Sequence, residues 1–101
     1  MAILHLVNKS PWERNALSSC LRLAKPGSAL LLIEDGVYAA QRAGDMAARI
    51  EAALGEHKVF ALQADIDARG LNDRLNPSVT LVDYDGFVQL ATEYDKVQSW
   101  L

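Results

Sequence analysis

Short apolar runs separated by helix-like segments constrain the fold of this chain more than any other feature. Four runs are rich in strand-forming residues: 2–7 (AILHLV), 29–33 (ALLLI), 58–62 (KVFAL) and 79–82 (VTLV). The first two lack the apolar/polar alternation of half-exposed strands, which indicates strands buried on both faces, as in a parallel sheet. Residues 97–101 (VQSWL) do alternate, and they predict a short strand at the sheet edge.

A well-marked helix start follows the first run. Ser10 can cap a helix that has Pro11 at its first position, and Glu13 can bond back to the cap. The apolar residues of this segment, including Trp12 and Cys20, recur at spacings that trace a single helical face. The segment therefore predicts an amphipathic helix over residues 10–24.

Further helices are predicted between the later runs, at residues 37–43, 46–54 and 86–93, with a turn at 34–36 and one helical turn at 65–69. Asp45 is placed to cap the second of them. Strands that alternate with helices at this spacing indicate βαβ crossovers. We therefore predict an α/β fold with a mainly parallel sheet, helices on both faces and a single domain spanning residues 1–101.

Composition and charge restrict the class of protein. The chain has 101 residues, of which 50% are apolar and 23% charged, a globular composition that needs no disulfide or metal to fold. Its formal net charge is −3 and no basic stripe is present, so we expect no direct contact with nucleic acid. The single cysteine and the lack of a leader-like or membrane-spanning segment predict a cytoplasmic protein.

Carboxylates gather where the predicted strands end, which is where parallel sheets bind their ligands. Because such residues also serve as turn formers and helix caps, we favour that role. A Mg²⁺ or phosphate enzyme using this acidic rim stays open as an alternative, although Asn8-Lys9 stands where such enzymes have an acidic pair. No glycine-rich phosphate loop follows the first run. The rim carboxylates are Glu34, Asp35, Asp65, Asp83 and Asp85.

The two histidines and the two tryptophans are further candidates for a role in the core or in a site. His5, inside the first strand, is predicted to be a hydrogen-bonded core histidine, and His57 a solvated loop residue, because the two lack metal-ligand spacing. Trp12 is predicted to pack its helix onto the sheet. Trp100, next to the last residue, is assigned either to the core or to an interface.

Cys20 is the only thiol of the chain. Reactive cysteines lie at helix N-termini or beside cations, with some exposure. Cys20 lies more than two turns past the cap, on the apolar face with Leu17 and Leu21. The pattern favours a buried, structural cysteine.

Four segments taken together resemble the TusB/DsrH family of sulfur-relay proteins: LHLVNKSPWERNALSSCL, LLLIEDGVYAA, KVFALQADIDARGL and LVDYDGFVQLATEYDKVQSWL. The resemblance covers essentially the whole chain. It implies a DsrEFH-like three-layer α/β/α sandwich with about five strands. Within the family, the opening NKSPWERN and Cys20 favour the DsrH type. We expect no cofactor and no metal, because the two histidines lack metal-ligand spacing.

The resemblance further implies a dimer of heterotrimers with TusC/DsrF-like and TusD/DsrE-like subunits. That complex passes persulfide sulfur to a downstream acceptor protein, without direct contact to nucleic acid or membrane. The sulfur serves 2-thiolation of the tRNA wobble uridine in one branch and oxidation of stored sulfur in the other. The essential acceptor cysteine is expected on the TusD/DsrE-type partner, so this chain would be a non-catalytic accessory subunit. Cys20 is a candidate secondary persulfide carrier, and a homodimeric interaction module is the remaining alternative.

Overall fold

A computed structural model describes residues 2–10, 20, 22, 24, 25, 27–44 and 47–100. Its centre is a five-stranded sheet in which every pairing is parallel and the strand order is β4-β3-β2-β1-β5. The strands are β1 (Ile3–Val7), β2 (Ala29–Leu32), β3 (Lys58–Leu62), β4 (Thr80–Val82) and β5 (Lys96–Trp100). The predicted parallel sheet and its edge strand are confirmed.

Besides the helical residues Cys20 and Arg22, three α-helices and two 3₁₀ helices surround the sheet in the described part of the chain. They are the 3₁₀ helices Glu34–Ala40 and Asn72–Arg74, and the α-helices α1 (Ala47–Leu54), α2 (Gln63–Ala68) and α3 (Tyr84–Glu93). Among the described residues, no helix has the length and apolarity needed to cross a membrane.

Two apolar clusters lie on opposite faces of the sheet, and they explain the unbroken apolar runs. The first face carries Leu30 and Leu32 and packs against Ile50 of α1 and Ile66 of α2. The second face carries Leu31 with its neighbours Leu4 and Ala29, and packs against Leu90 of α3. All four residues of β2 are buried, because helices cover both faces at the middle of the sheet. The layers are therefore α/β/α, as predicted.

The segment after β2 departs from the sequence prediction. A turn at 34–36 followed by a helix at 37–43 was expected, but one 3₁₀ helix, Glu34–Ala40, occupies this stretch. It starts directly after β2 because Gly36 N donates a hydrogen bond to Ile33 O. It ends at Ala40, and the next residue, Gln41, has an extended backbone and forms an antiparallel bridge with Leu75. That long-range bridge has no local sequence signal.

Two other helices begin earlier than predicted. α2 starts at Gln63, immediately after β3, rather than at Asp65. α3 starts at Tyr84 rather than at Gly86, because Asp83 is its N-cap and accepts a hydrogen bond from Gly86 N.

Most of the predicted first helix, with Trp12, lies outside the described residues, as does the proposed cap Asp45. Within the described part, Cys20 and Arg22 are helical, and Ala24 N donates to Cys20 O at 2.8 Å.

Candidate functional site

The carboxyl edge of the sheet is the first place to look for a site, because the loops that follow parallel strands meet there. Arg69, just after α2, reaches back to this edge. Its Nε and Nη2 donate to Asp35 Oδ1 at 3.1 and 2.9 Å, and its Nη1 lies 3.5 Å from Asp65 Oδ1. The guanidinium carbon also lies 6.0 Å from the centre of the Tyr38 ring. Two of the five rim carboxylates thus form one ion-pair network around a cation of the chain itself.

Hydrogen bonding to Asp35 is the main reason that the pKa of Arg69 is raised above its usual value, and the charges of Asp35 and Asp65 add to it. The Arg69 side chain is 21% exposed, so solvent screens this network only in part. The network ties the 3₁₀ helix that follows β2 to the α-helix that follows β3.

Two of the rim carboxylates also accept hydrogen bonds from backbone N–H groups. Asp65 Oδ2 accepts a hydrogen bond from Glu34 N at 2.7 Å, where Glu34 has a positive φ of 50°. Asp83 Oδ1 accepts from Gly86 N at 2.7 Å and caps α3, which confirms the cap interpretation for that residue. No group of three or more His, Cys, Asp or Glu side chains in the described part is arranged to hold a metal ion.

A cleft of about 480 Å³ opens at the ends of β3 and β4, lined by Gln63, Leu81, Val82, Asp83 and Gly86. The chain changes side here, because α2 follows β3 onto the first face and α3 follows β4 onto the second. Such switch points are the usual ligand crevices of open α/β sheets. In this cleft, however, the carboxylate of Asp83 already accepts a hydrogen bond from Gly86 N, an amide of α3 that would otherwise be available to an anion.

Cys20 is fully buried among the apolar side chains of the first face, together with Val7 and Leu30. Desolvation raises the pKa of its thiol to about 12. A thiol with so high a pKa stays protonated at neutral pH. Arg22, nearby in sequence, is exposed. The surroundings of Cys20 therefore suit a packed side chain and oppose nucleophilic sulfur chemistry.

The structure joins His5 and Trp100, a contact that the sequence did not indicate. Trp100 Nε1 donates to His5 Nδ1 at 2.9 Å, across the parallel β1–β5 pairing. Since Nδ1 accepts, the neutral ring carries its proton on Nε2. That Nε2 is buried, and no hydrogen-bond partner for it lies among the described residues. Burial, with a smaller effect of His57, lowers the pKa of His5.

The prediction that His57 is solvated is wrong. Its ring is buried and Nδ1 lies 3.2 Å from the carbonyl oxygen of Ser28, to which it donates. The residue precedes β3, and the parallel pairing of β2 with β3 brings it beside the start of β2. Neighbouring Glu56 and Lys58 are exposed, which made the local sequence resemble a solvated loop.

Comparisons with known proteins agree with this architecture. Residues 9–97 match the family described as "DsrH like protein". The chain is 36% identical to Protein TusB of Pectobacterium parmentieri over 98 residues, covering 97% of this chain and 100% of the relative. It is 39% identical to Protein TusB of Enterobacter sp. (strain 638) and 35% identical to that of Escherichia coli K12, with the same coverage.

Solved structures share the fold at lower identity. The crystal structure of the E. coli YchN protein superposes with a TM-score of 0.82 at 23% identity, covering 98% of both chains. MTH1491 from Methanobacterium thermoautotrophicum gives a TM-score of 0.71 at 15% identity, covering 96% of both chains. Full-length identity above one third to the TusB proteins, a matching family profile and a common fold thus lead to one conclusion. This chain belongs to the TusB/DsrH family of sulfur-relay proteins.

Proposed function

We propose that this chain is a non-catalytic subunit of a cytoplasmic persulfide-relay complex that supports 2-thiolation of the tRNA wobble uridine. The relatives named TusB, at 35–39% identity over nearly the whole chain, support the tRNA branch of the family. The accessory role is supported by one observation: Cys20, the only thiol of the chain, is fully buried.

Relay chemistry explains why this burial matters. An acceptor thiolate attacks the outer sulfur of a donor persulfide, a new S–S bond forms, and the old one breaks with release of the donor thiolate. The exchange is redox-neutral, and its rate depends on the thiolate fraction and on access to the sulfur. In this fold the Cys20 sulfur is not accessible, because it is buried, and little of it is thiolate, because its pKa is raised to about 12.

The acceptor cysteine is therefore assigned to a partner subunit of the TusD/DsrE type. A TusC/DsrF-like subunit completes the heterotrimer, and two heterotrimers form the hexamer that hands sulfur to a downstream acceptor protein. In this arrangement Cys20 packs the first face of the sheet. A role for Cys20 as a secondary persulfide carrier requires an opening that exposes Sγ and lowers its pKa.

Gene deletion with complementation in the native host tests the proposed function. The chain is removed and then restored as wild type or as Cys20→Ala, and 2-thiouridine is quantified by mass spectrometry of digested tRNA. We expect deletion to lower thiolation and both versions to restore it. Restoration by wild type alone, with equal amounts of assembled complex, would instead make Cys20 a carrier.

The same strains address the sulfur-oxidation branch, which the DsrH name of the matching family favours. If the deletion strain keeps its level of 2-thiouridine but no longer grows on reduced sulfur compounds, the chain serves sulfur oxidation instead.

A further inference from the structure

The second face of the sheet is covered by one described helix, α3, and the outer side of that helix is unusual. Tyr84 and Val88 are 62% and 65% exposed, the highest values for any large apolar side chain in the described part. They are four residues apart, so they lie on the same side of the helix. Asp85 and Thr92, both exposed, lie next to them on the helix surface. We call Tyr84, Asp85, Val88, Gln89, Thr92 and Glu93 the α3 surface.

The sequence segment that contains this surface carries the formal net charge of the chain. Residues 83–96 contain four acidic residues and one basic residue, Lys96, which gives −3. The nine acidic and nine basic residues of the rest of the chain cancel, so this segment accounts for the full net charge of −3. The four acidic residues are Asp83, Asp85, Glu93 and Asp95.

In the described part of the chain, Arg69 pairs with Asp35 and Asp65, whereas Asp83 Oδ1 and Asp95 Oδ2 accept hydrogen bonds from the backbone N–H groups of Gly86 and Ala2. A negative field around exposed apolar side chains repels nucleic acid and anionic lipid, and it attracts a basic protein surface. Burial of the exposed apolar side chains would form the core of such an interface and stabilise the complex.

We propose that the α3 surface is the docking site for another protein subunit of the relay complex. That subunit would present an apolar centre for Val88 and Tyr84 within a rim of Lys or Arg side chains. The inference rests on the proposed function, because it takes the partner to be a relay subunit. A second copy of this chain is disfavoured as occupant, since two α3 surfaces would bring like charges together.

The complex reconstituted from this chain and its two paralogous subunits provides the test. The apparent dissociation constant of the chain is measured by sedimentation velocity on serial dilution, at 50 and at 500 mM NaCl. Val88→Arg replaces the apolar anchor by a cation, and Asp85→Lys reverses one charge. Asp73→Lys is the matched control, because Asp73 is an exposed aspartate in the first turn of a 3₁₀ helix on the other side of the sheet. Circular dichroism confirms that each variant is folded.

We expect Val88→Arg to weaken assembly at least tenfold and Asp85→Lys several-fold, with a smaller salt dependence in the latter. The control should stay within twofold of wild type. Assembly of both α3 variants with wild-type affinity would overturn the docking site while leaving the proposed function intact. Failure of the wild-type chain to assemble with either paralogue would overturn both. A homodimer that Val88→Arg abolishes would identify the occupant as a second copy and refute the assignment.

Discussion

Replacing Gly36 with alanine should destabilise this fold strongly, because the glycine lies against the backbone at the end of β1. A Cβ atom on Gly36 would lie 2.0 Å from the carbonyl oxygen of Val7 and 2.8 Å from its carbonyl carbon. Real Cβ atoms essentially never approach another heavy atom within 3.0 Å, so the two backbones would have to separate by about 1 Å.

That separation cannot be absorbed by a side chain. Val7 O accepts a hydrogen bond from Ile33 N at 3.0 Å, and Gly36 N donates to Ile33 O at 2.8 Å. Moving Gly36 away from Val7 strains both bonds, each contributing about 1 kcal/mol net. Overpacking of a filled interior costs about 1–3 kcal/mol more. We therefore expect Gly36→Ala to lower the free energy of unfolding by about 3–5 kcal/mol, a large part of the roughly 5–15 kcal/mol typical of a domain.

Urea unfolding followed by far-UV circular dichroism measures this loss. Gly55→Ala is the matched control, because the nearest atom to its added Cβ is Ala52 O at an ordinary 3.4 Å. The control should stay within about 1 kcal/mol of wild type. A Gly36→Ala protein that unfolds cooperatively within about 1 kcal/mol of wild type would refute the argument from close packing.

Three further predictions concern buried or paired groups. His5 has a pKa below its ordinary 6.5, so its contribution to stability is complete above pH 6.5 and is lost as the pH falls from 6.5 toward the lower pKa of the folded state. The urea midpoint should therefore decrease over that pH range, and it should decrease less in His5→Gln. Arg69→Gln leaves Asp35 and Asp65 without their cation and should cost up to about 1 kcal/mol in urea unfolding, because the Asp35 side chain is 44% exposed and solvent screens the pair. An unchanged urea midpoint would show that the network contributes nothing to stability. Cys20→Ser places a hydroxyl in an apolar cluster, so thermal unfolding should show a free energy of unfolding lower by about 1–3 kcal/mol, while the fold, the assembly and sulfur transfer persist. Loss of sulfur transfer in a complex that still assembles would refute the structural role of Cys20.

The strands could be predicted because their signal is local. Lys58–Leu62 has the predicted bounds, and the other strands differ by one residue at one or both ends. A run buried on both faces needs apolar residues at every position, whatever its neighbours are. The start of α3 was predicted two residues late, although Asp83, the N-cap residue that binds Gly86 N, is a local signal that marks it.

Contacts between distant residues could not be predicted in the same way. The indole of Trp100 meets His5 only because β5 joins the sheet beside β1, and one sequence does not specify that strand order. The pairing of Arg69 with Asp35 likewise depends on two loops meeting at one edge of the sheet. Burial of His57 follows from the position of β2 beside it rather than from its polar neighbours.

The positions that usually carry chemistry in this architecture are already engaged by the chain itself. Arg69 is neutralised by two carboxylates at the edge of the sheet, the amide at the start of α3 is capped by Asp83, and the only thiol is buried. The two most exposed large apolar side chains of the described part, Tyr84 and Val88, lie instead on α3, together with exposed Asp85 and Glu93. If the chain contributes through assembly, variants of that surface should slow sulfur transfer only by lowering the fraction of assembled complex. Raising the subunit concentration should then restore the rate, whereas a defect that persists at saturating concentration would mean that this subunit takes part in the transfer step.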